Sequence, residues 1–226
     1  DWSSDVCSSD LAEAVSVTRL VSLRAGGDVE PWQQLGFSFQ DATSRLGDVA
    51  FVVLGGAPGL VDWTIASDRD ETVSVDGITT HLVSVDPGIS GSDVIGPTVG
   101  VRLDHVVINT DDGERTSAAI ESVLGVPLKR VRDAGRGVSQ RFHTLDNTVL
   151  EIVSGPHVTG TGSSLWGMVL SVSDIDALFG HLGPDVLSPP KQAVQAGRLI
   201  STVRGAAGLG VPFAVMSPHV RTSDTD

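Results

Sequence analysis

Apolar residues recur along this chain with two periods, and the order in which the periods alternate predicts its elements. From Val15 to Leu23 the residues are apolar and β-branched, a strand pattern. Asp28-Val29-Glu30-Pro31-Trp32 then marks a helix start with Pro31 in its first turn, and Gly36 ends that helix. Strand-like runs follow at Phe37 to Phe39, Asp48 to Leu54 and Leu60 to Ala66, the last two parted by the turn Gly55-Gly56-Ala57-Pro58-Gly59. From Ser67 to Gly100 the chain is rich in Ser, Asp, Thr, Gly and Pro, with brief β-like pieces such as Ile78 to Val85. That stretch predicts a linker or a covering arm.

The same order then returns. A strand over Arg102 to Asn109 precedes a helix from about Asp112 to Leu124, with Asp111 or Asp112 as N-cap and Gly125 as the stop. Strands are predicted near Leu128 to Arg132, Val138 to Leu145 and Thr148 to Val153, with Asp146-Asn147 as the hairpin. A third pass opens at Leu165, caps a helix with Ser173 or Asp174, stops it at Gly183-Pro184, and ends in strands near Arg198 to Val203 and Val211 to Met216. Laid on each other, the second and third passes put His105 on Gly167 and Glu151 on Ala214. Duplication of a supersecondary unit explains this period.

The expected organisation is a degenerate βαβββ-like module over residues 12–68, a linker or arm over 69–100, paired βαβββ modules over 101–156 and 164–218, and a tail over 219–226. Residues 1–11 stand apart: Asp1 to Asp10 resembles one reading frame of a sequencing-library adapter and is expected to be an artefact, with the native start not represented. Cys7, the one cysteine, falls inside it, so thiolate and disulfide chemistry leave the argument.

Composition narrows the function classes. The 226 residues are 40% hydrophobic, enough for a substantial core, and no run is long and apolar enough for a membrane span. A formal net charge of −13 opposes nucleic acid and anionic membranes as partners. The cytoplasm is the default address. No serine nucleophile elbow, Walker loop or basic aromatic patch is present. Gly205-Ala206-Ala207-Gly208-Leu209-Gly210 joins two predicted strands and opens no helix, so it reads as a turn. Trp32 and Trp63 are expected in the core, and His81, His181 and His219 in solvated places.

Leu103-Asp104-His105-Val106-Val107-Ile108, the closing Leu150-Glu151-Ile152-Val153 and the βαβββ order between them resemble the vicinal oxygen chelate superfamily, which includes glyoxalase I, extradiol dioxygenases and bleomycin-binding proteins. Trp166-Gly167 and the run Pro190 to Arg198 are similar to its bacterial glyoxalase-like members. The resemblance covers Arg102 to Pro218 well and Val15 to Ala66 weakly. It implies an α+β fold in which tandem βαβββ modules pair their curved mixed sheets around one cleft. There a divalent ion (zinc, iron, manganese or nickel) is held by the first and last strands of each module, and lyase, isomerase or dioxygenase chemistry follows.

Strand alternation supports a shared hollow independently. Leu103, His105 and Val107 take one side of the first strand, and Val149, Glu151 and Val153 one side of the last. His105 and Glu151 are therefore the candidate catalytic pair and the candidate metal ligands, with Val107, Val149, Gln195 and Arg198 as candidate substrate contacts. Gly167 and Ala214 supply no ligand, and two protein ligands underfill a first-row metal. His143, His157 or a residue of another subunit would have to complete the set. The other reading is a metal-free site in which a neutral His105 hydrogen-bonds Glu151 or a ligand. Arg198 reads equally as half of a structural ion pair, and alternation assigns Trp166 to the core behind the sheet. The expected partner is a small organic molecule, either turned over or only sequestered. Residues Val15 to Ala66 are expected to cap the cleft or to pair with a second chain as a homodimer.

Overall fold

The computed structural model describes residues 18–84, 94–95, 98–99 and 101–219. The predicted adapter segment, most of the stretch 85–100 and the end of the tail lie outside them. Strand β1 (Arg19–Gly26) is followed by α1 (Glu30–Gln34), β2 (Thr43–Leu46), β3 (Val49–Val53), β4 (Gly59–Ala66), β5 (Glu71–Val75) and β6 (Ile78–Val83). A two-residue ladder, β7 (Val94–Ile95) with β8 (Thr98–Val99), separates these from the second half. There β9 (Arg102–Thr110), α2 (Gly113–Leu124), β10 (Leu128–Gly135), β11 (Val138–Thr144) and β12 (Val149–Ser154) precede β13 (Ser163–Ser171), α3 (Ile175–Leu182), β14 (Lys191–Gln192), β15 (Leu199–Thr202) and β16 (Phe213–Met216).

The strands form a six-stranded sheet in the order β2-β3-β1-β4-β6-β5 and an eight-stranded sheet in the order β10-β11-β12-β9-β13-β16-β15-β14. Both follow one plan. At the centre two strands run antiparallel, β1 with β4 and β9 with β13. Each central strand has a parallel partner on its outer side: β3, β6, β12 and β16. This is an α+β fold with mixed sheets, and the first half holds two shortened modules where the sequence predicts one. Only the first of the two has a helix among the described residues.

Two expectations are corrected here. The polar stretch after Ser67 is no linker as far as Val83, because it supplies β5 and β6 to the first sheet. Its signal was a hairpin: Asp76 and Gly77 both take positive φ (49° and 95°), the demand of a two-residue turn met by an Asp-Gly pair. The predicted strand at Phe37 to Phe39 lies instead at Thr43–Leu46, whose alternating exposure matches a half-buried edge.

Helix boundaries follow their caps. The Asp112 carboxylate accepts from the amides of Glu114 and Arg115, and Gly125 closes α2 in the left-handed region at φ 68°. Asp174 caps α3 by accepting from the Ala177 amide at 2.8 Å. In α1 no side chain caps, and Pro31 in the first turn removes one orphan donor.

One apolar core joins the two sheets, drawing Leu23, Phe51 and Trp63 from the first and Ile108, Ile152 and Phe213 from the second. Trp32 on α1 stands where they meet, its ring 4.7 Å from Phe51 and 5.7 Å from Phe213. A polar clasp adds to this: Asn147, in the β11–β12 hairpin, accepts from the Leu20 amide at 3.0 Å and donates to the Leu20 carbonyl at 2.8 Å. The first sheet is thus bound through its apolar side, and none of the described residues before Arg102 lines either cavity of the second sheet. It does not cap the cleft. No described helix is long and apolar enough to cross a membrane.

Truncating Trp32 to Ala removes the ring that bridges both sheets, with an expected loss of about 3–5 kcal/mol of stability. Urea unfolding followed by circular dichroism measures it. A loss confined to the first half would show as two transitions and would argue against the shared core.

Candidate functional site

Behind the second sheet Val106, Ile108, Leu150 and Ile152 are buried in the core. Alternation sends their neighbours to the other face, where His105, Val149 and Glu151 line a cleft of about 1110 Å³ with Gln140, Phe142 and Gln195. Strands β9 and β12 are parallel neighbours with His105 beside Val149 and Val107 beside Glu151. That register brings His105 Nε2 to 3.2 Å from Glu151 Oε2. Val107 lies on the same side and lines a second, apolar hollow of about 610 Å³ together with Val169, Trp166 and Ala214.

The sequence reading missed Asp104. Between His105 and Leu103 the β9–β13 ladder slips, two residues on β9 against one on β13, so Asp104 is the extra residue of a bulge. Its side chain turns to the cleft side, where Oδ1 lies 2.8 Å from His105 Nδ1 and Oδ2 accepts from Arg198 Nη2. An unbroken chain of contacts runs Arg198–Asp104–His105–Glu151–Gln140, the last link a 2.6 Å bond from Gln140 Nε2 to Glu151 Oε1. Arg132 extends it, donating to Gln140 Oε1 at 3.2 Å.

Burial penalises ionised Asp104, but the hydrogen bonds from His105 and Arg198 outweigh it and hold the carboxyl down at about 2. Glu151 goes the other way: burial raises it above the usual carboxyl range, although His105, Arg132 and Gln140 pull it down. An ionised Asp104 can only accept, so His105 Nδ1 carries a hydrogen and donates to it. His105 Nε2 faces Glu151 Oε2 at 3.2 Å, within ion-pair distance.

Arg198 is only 1% exposed. Its Nε donates to the Ser217 carbonyl at 2.7 Å, Nη1 meets His219 Nε2 at 3.2 Å, and Nη2 holds Asp104. The guanidinium is therefore spent on Asp104 and the tail instead of facing a ligand. Gln195 is exposed at the cleft, as its position before β15 requires. His143 is fully buried on the core side, with Nδ1 donating to the Val126 carbonyl and Nε2 accepting from Ser117. His157 is exposed beyond β12. Neither can complete a ligand set with His105.

Trp166 departs from simple alternation. The β9–β13 ladder slips again between Leu165 and Gly167, and the extra residue is Trp166, which is 48% exposed and lines the apolar hollow. The bulge turns it away from the core, which corrects the expected packing behind the sheet. Gly167 has its own reason: a Cβ there would stand 2.6 Å from the Pro212 carbonyl oxygen. The position matching His105 in the other module is thus closed to any side chain.

The fold family's metal does not fit these residues. Asp104 and Glu151 lie on opposite nitrogens of one imidazole, so their oxygens diverge instead of converging on a point. Gly167 and Ala214 offer no donor, and among the described residues no three His, Cys, Asp or Glu side chains gather as a metal site.

Replacing Asp104 by Asn leaves the buried Arg198 charge unpaired, and a loss of about 3–5 kcal/mol is expected. The carboxyl is depressed, so its stabilisation is complete above the unfolded value near 3.8 and is lost as pH falls through about 2. Denaturation at pH 5 and pH 2 should show the parent losing about 2 kcal/mol more than Asp104→Asn across that interval. Equal acid dependence in the two proteins would exclude the assignment.

Comparison with known proteins bears on the fold. No protein-family model matches the chain, and no curated protein sequence matches it. Among solved structures, a mutant of 4-hydroxymandelate synthase from Streptomyces coelicolor is similar over 92% of this chain and 94% of its own, at a TM-score of 0.66 and 14% identity. Methylmalonyl-CoA epimerase from Mycobacterium tuberculosis covers 52% of this chain and 87% of its own, at a TM-score of 0.43 and 17% identity. With paired modules in each sheet and a likeness that spans nearly its full length, the chain has the fold of the vicinal oxygen chelate superfamily.

Proposed function

We propose that the cleft of the second sheet binds a small organic molecule and that His105 and Glu151 move a proton on it without a metal. The observation that carries this reading is the chain Arg198–Asp104–His105–Glu151, in which one end is fixed by a buried ion pair and the other sets an imidazole nitrogen 3.2 Å from a carboxylate oxygen. Asp104, kept ionised by Arg198, holds the imidazole in one tautomer and orientation. Glu151, whose carboxyl burial raises, holds a proton more readily than an exposed carboxyl and so is suited to take and return one.

The chemistry follows from that pair. A carbon-bound hydrogen next to a carbonyl, brought to the Glu151 carboxylate, transfers to it as the electron pair moves onto the carbonyl oxygen. Return of the proton to a different position or face completes an isomerisation. Expulsion of a leaving group from the adjacent carbon completes a lyase reaction. Arg132, whose charge already acts on Glu151, is the cation placed to offset negative charge developing nearby. Val149 and Phe142 supply apolar walls, and Gln195 a polar contact at the mouth.

The second reading is a binder that sequesters its ligand. It is favoured by the complete occupation of Glu151, one oxygen held by Gln140 and the other by His105, which a merely structural carboxylate would also show.

Deuterium exchange into a panel of small keto acids and keto esters, read by NMR, separates the readings. Exchange is expected with the parent protein, unchanged after dialysis against a chelator and reduced about 10²–10⁴-fold in Glu151→Gln. The rate should fall as pH drops through a value above the ordinary carboxyl range, since Glu151 then stays protonated. Exchange that vanishes with the chelator and returns with a divalent ion would sink the metal-free mechanism. Binding with no exchange supports sequestration.

A further inference from the structure

Cations elsewhere in the described chain are mostly paired: Arg19 with Asp48, Arg24 with Asp62, Arg69 with Glu71, Arg115 with Asp76, Arg141 with Glu114 and Arg198 with Asp104. Among the described residues without such a partner, Arg102, Lys129, Arg130 and Arg132 line the cleft, while Arg136, Lys191 and Arg204 lie outside it. With Asp104 neutralised by Arg198, these four cations face only Asp146 and Glu151 in the same lining, a local excess of positive charge in a protein of net charge −13. Strand β10 makes the gathering possible. Arg130 and Arg132 stand opposite Phe142 and Gln140 on the cleft side, and a slip in the β10–β11 ladder between Leu128 and Arg130 adds Lys129.

The other end of the same face is apolar. Val169 lies directly across from His105 on β13, and with Val107, Ala214 and the outward-turned Trp166 it walls the second hollow. Ile200 lines both cavities, so they adjoin. Across the sheet the order is cationic β10, then Glu151 on β12, His105 on β9, and the apolar wall on β13 and β16. Strands are about 4.8 Å apart, so β10 to β13 spans roughly 19 Å before curvature and side-chain reach shorten it.

Resting on the reading of His105 and Glu151 as the reacting pair, we infer that the ligand is an elongated anionic amphiphile. Its acidic group lies against Lys129 and Arg130, its apolar body lies on Trp166 and Val169, and its reactive centre passes between them over Glu151. Guanidinium and ammonium groups at an open rim recognise a carboxylate or phosphoryl group and lose strength with salt. An exposed indole beside valines takes hydrocarbon or a ring.

Decanoate and decanol, equal in chain and different in head, are the probes, with quenching of Trp166 emission as the readout. Of the other three tryptophans Trp32 and Trp63 are fully buried, and the difference in quenching between the parent and a Trp166→Phe variant isolates the Trp166 signal from all three. Decanoate should bind at least tenfold more tightly than decanol. The Lys129→Ala, Arg130→Ala double variant, altered only at exposed positions, should abolish that difference while decanol binds as before. Equal binding of the two probes overturns the anionic head, and quenching that persists in Trp166→Phe overturns the placement of the apolar body. Decanoate binding and proton exchange, both read on the parent protein, tell the two proposals apart. Selective binding without proton exchange in the parent would sink the chemistry and leave the ligand class standing, and exchange with indiscriminate binding would do the reverse.

Discussion

One buried ion pair sets the terms for the site. Arg198 cannot be left in the interior without a counter-ion, and Asp104 reaches it only because β9 carries an extra residue at that point. The bulge disrupts one rung of a ladder, a modest cost, and in exchange two successive side chains of one strand reach the same side of the sheet. With Asp104 fixed from behind by Arg198, the imidazole of His105 has a defined tautomer, and its far nitrogen is set 3.2 Å from Glu151. Removing either charge of the pair would disturb the orientation of a group two links away.

The two halves of the second sheet share a plan and divide the work. The half built on β9 and β12 carries the titratable groups, and the half built on β13 and β16 carries small and apolar ones: Gly167, Val169 and Ala214. In a symmetric pair of modules the cleft would see the same chemistry from both sides. Here it sees a titratable wall and an apolar wall. The first sheet repeats the topology but takes no part in lining the cleft among the described residues. It serves the core, through Trp32 and the Asn147 clasp on Leu20.

Much of this was legible in the sequence, and the reasons differ by element. Caps and stops announced α2 and α3, because Asp112, Gly125 and Asp174 act through local geometry that a short window contains. The meeting of His105 and Glu151 followed from alternation once the two strands were taken as neighbours. Alternation failed where a ladder slipped: Asp104 and Trp166 are both extra residues of bulges, and a period of two assigns each to the wrong face. Nothing in a single sequence marks such a slip. Strand β6 was legible as the β-like piece at Ile78 to Val85, but β5 was missed because its polar composition resembles a linker, and the Asp76-Gly77 turn is what joins the two into a hairpin.

The close approach of Pro212 to Gly167 has a consequence for how such a site can change. A donor side chain at position 167 cannot enter by one substitution, because the carbonyl of the adjacent strand already fills the space a Cβ would need. β16 would have to move first, through changes at or around Pro212 that by themselves add no ligand and disturb the wall of the apolar hollow. Gain of a symmetric ligand set is thus a coupled, multi-step path whose first step carries only a penalty, and the asymmetry of the cleft is held in place by backbone packing as much as by chemistry.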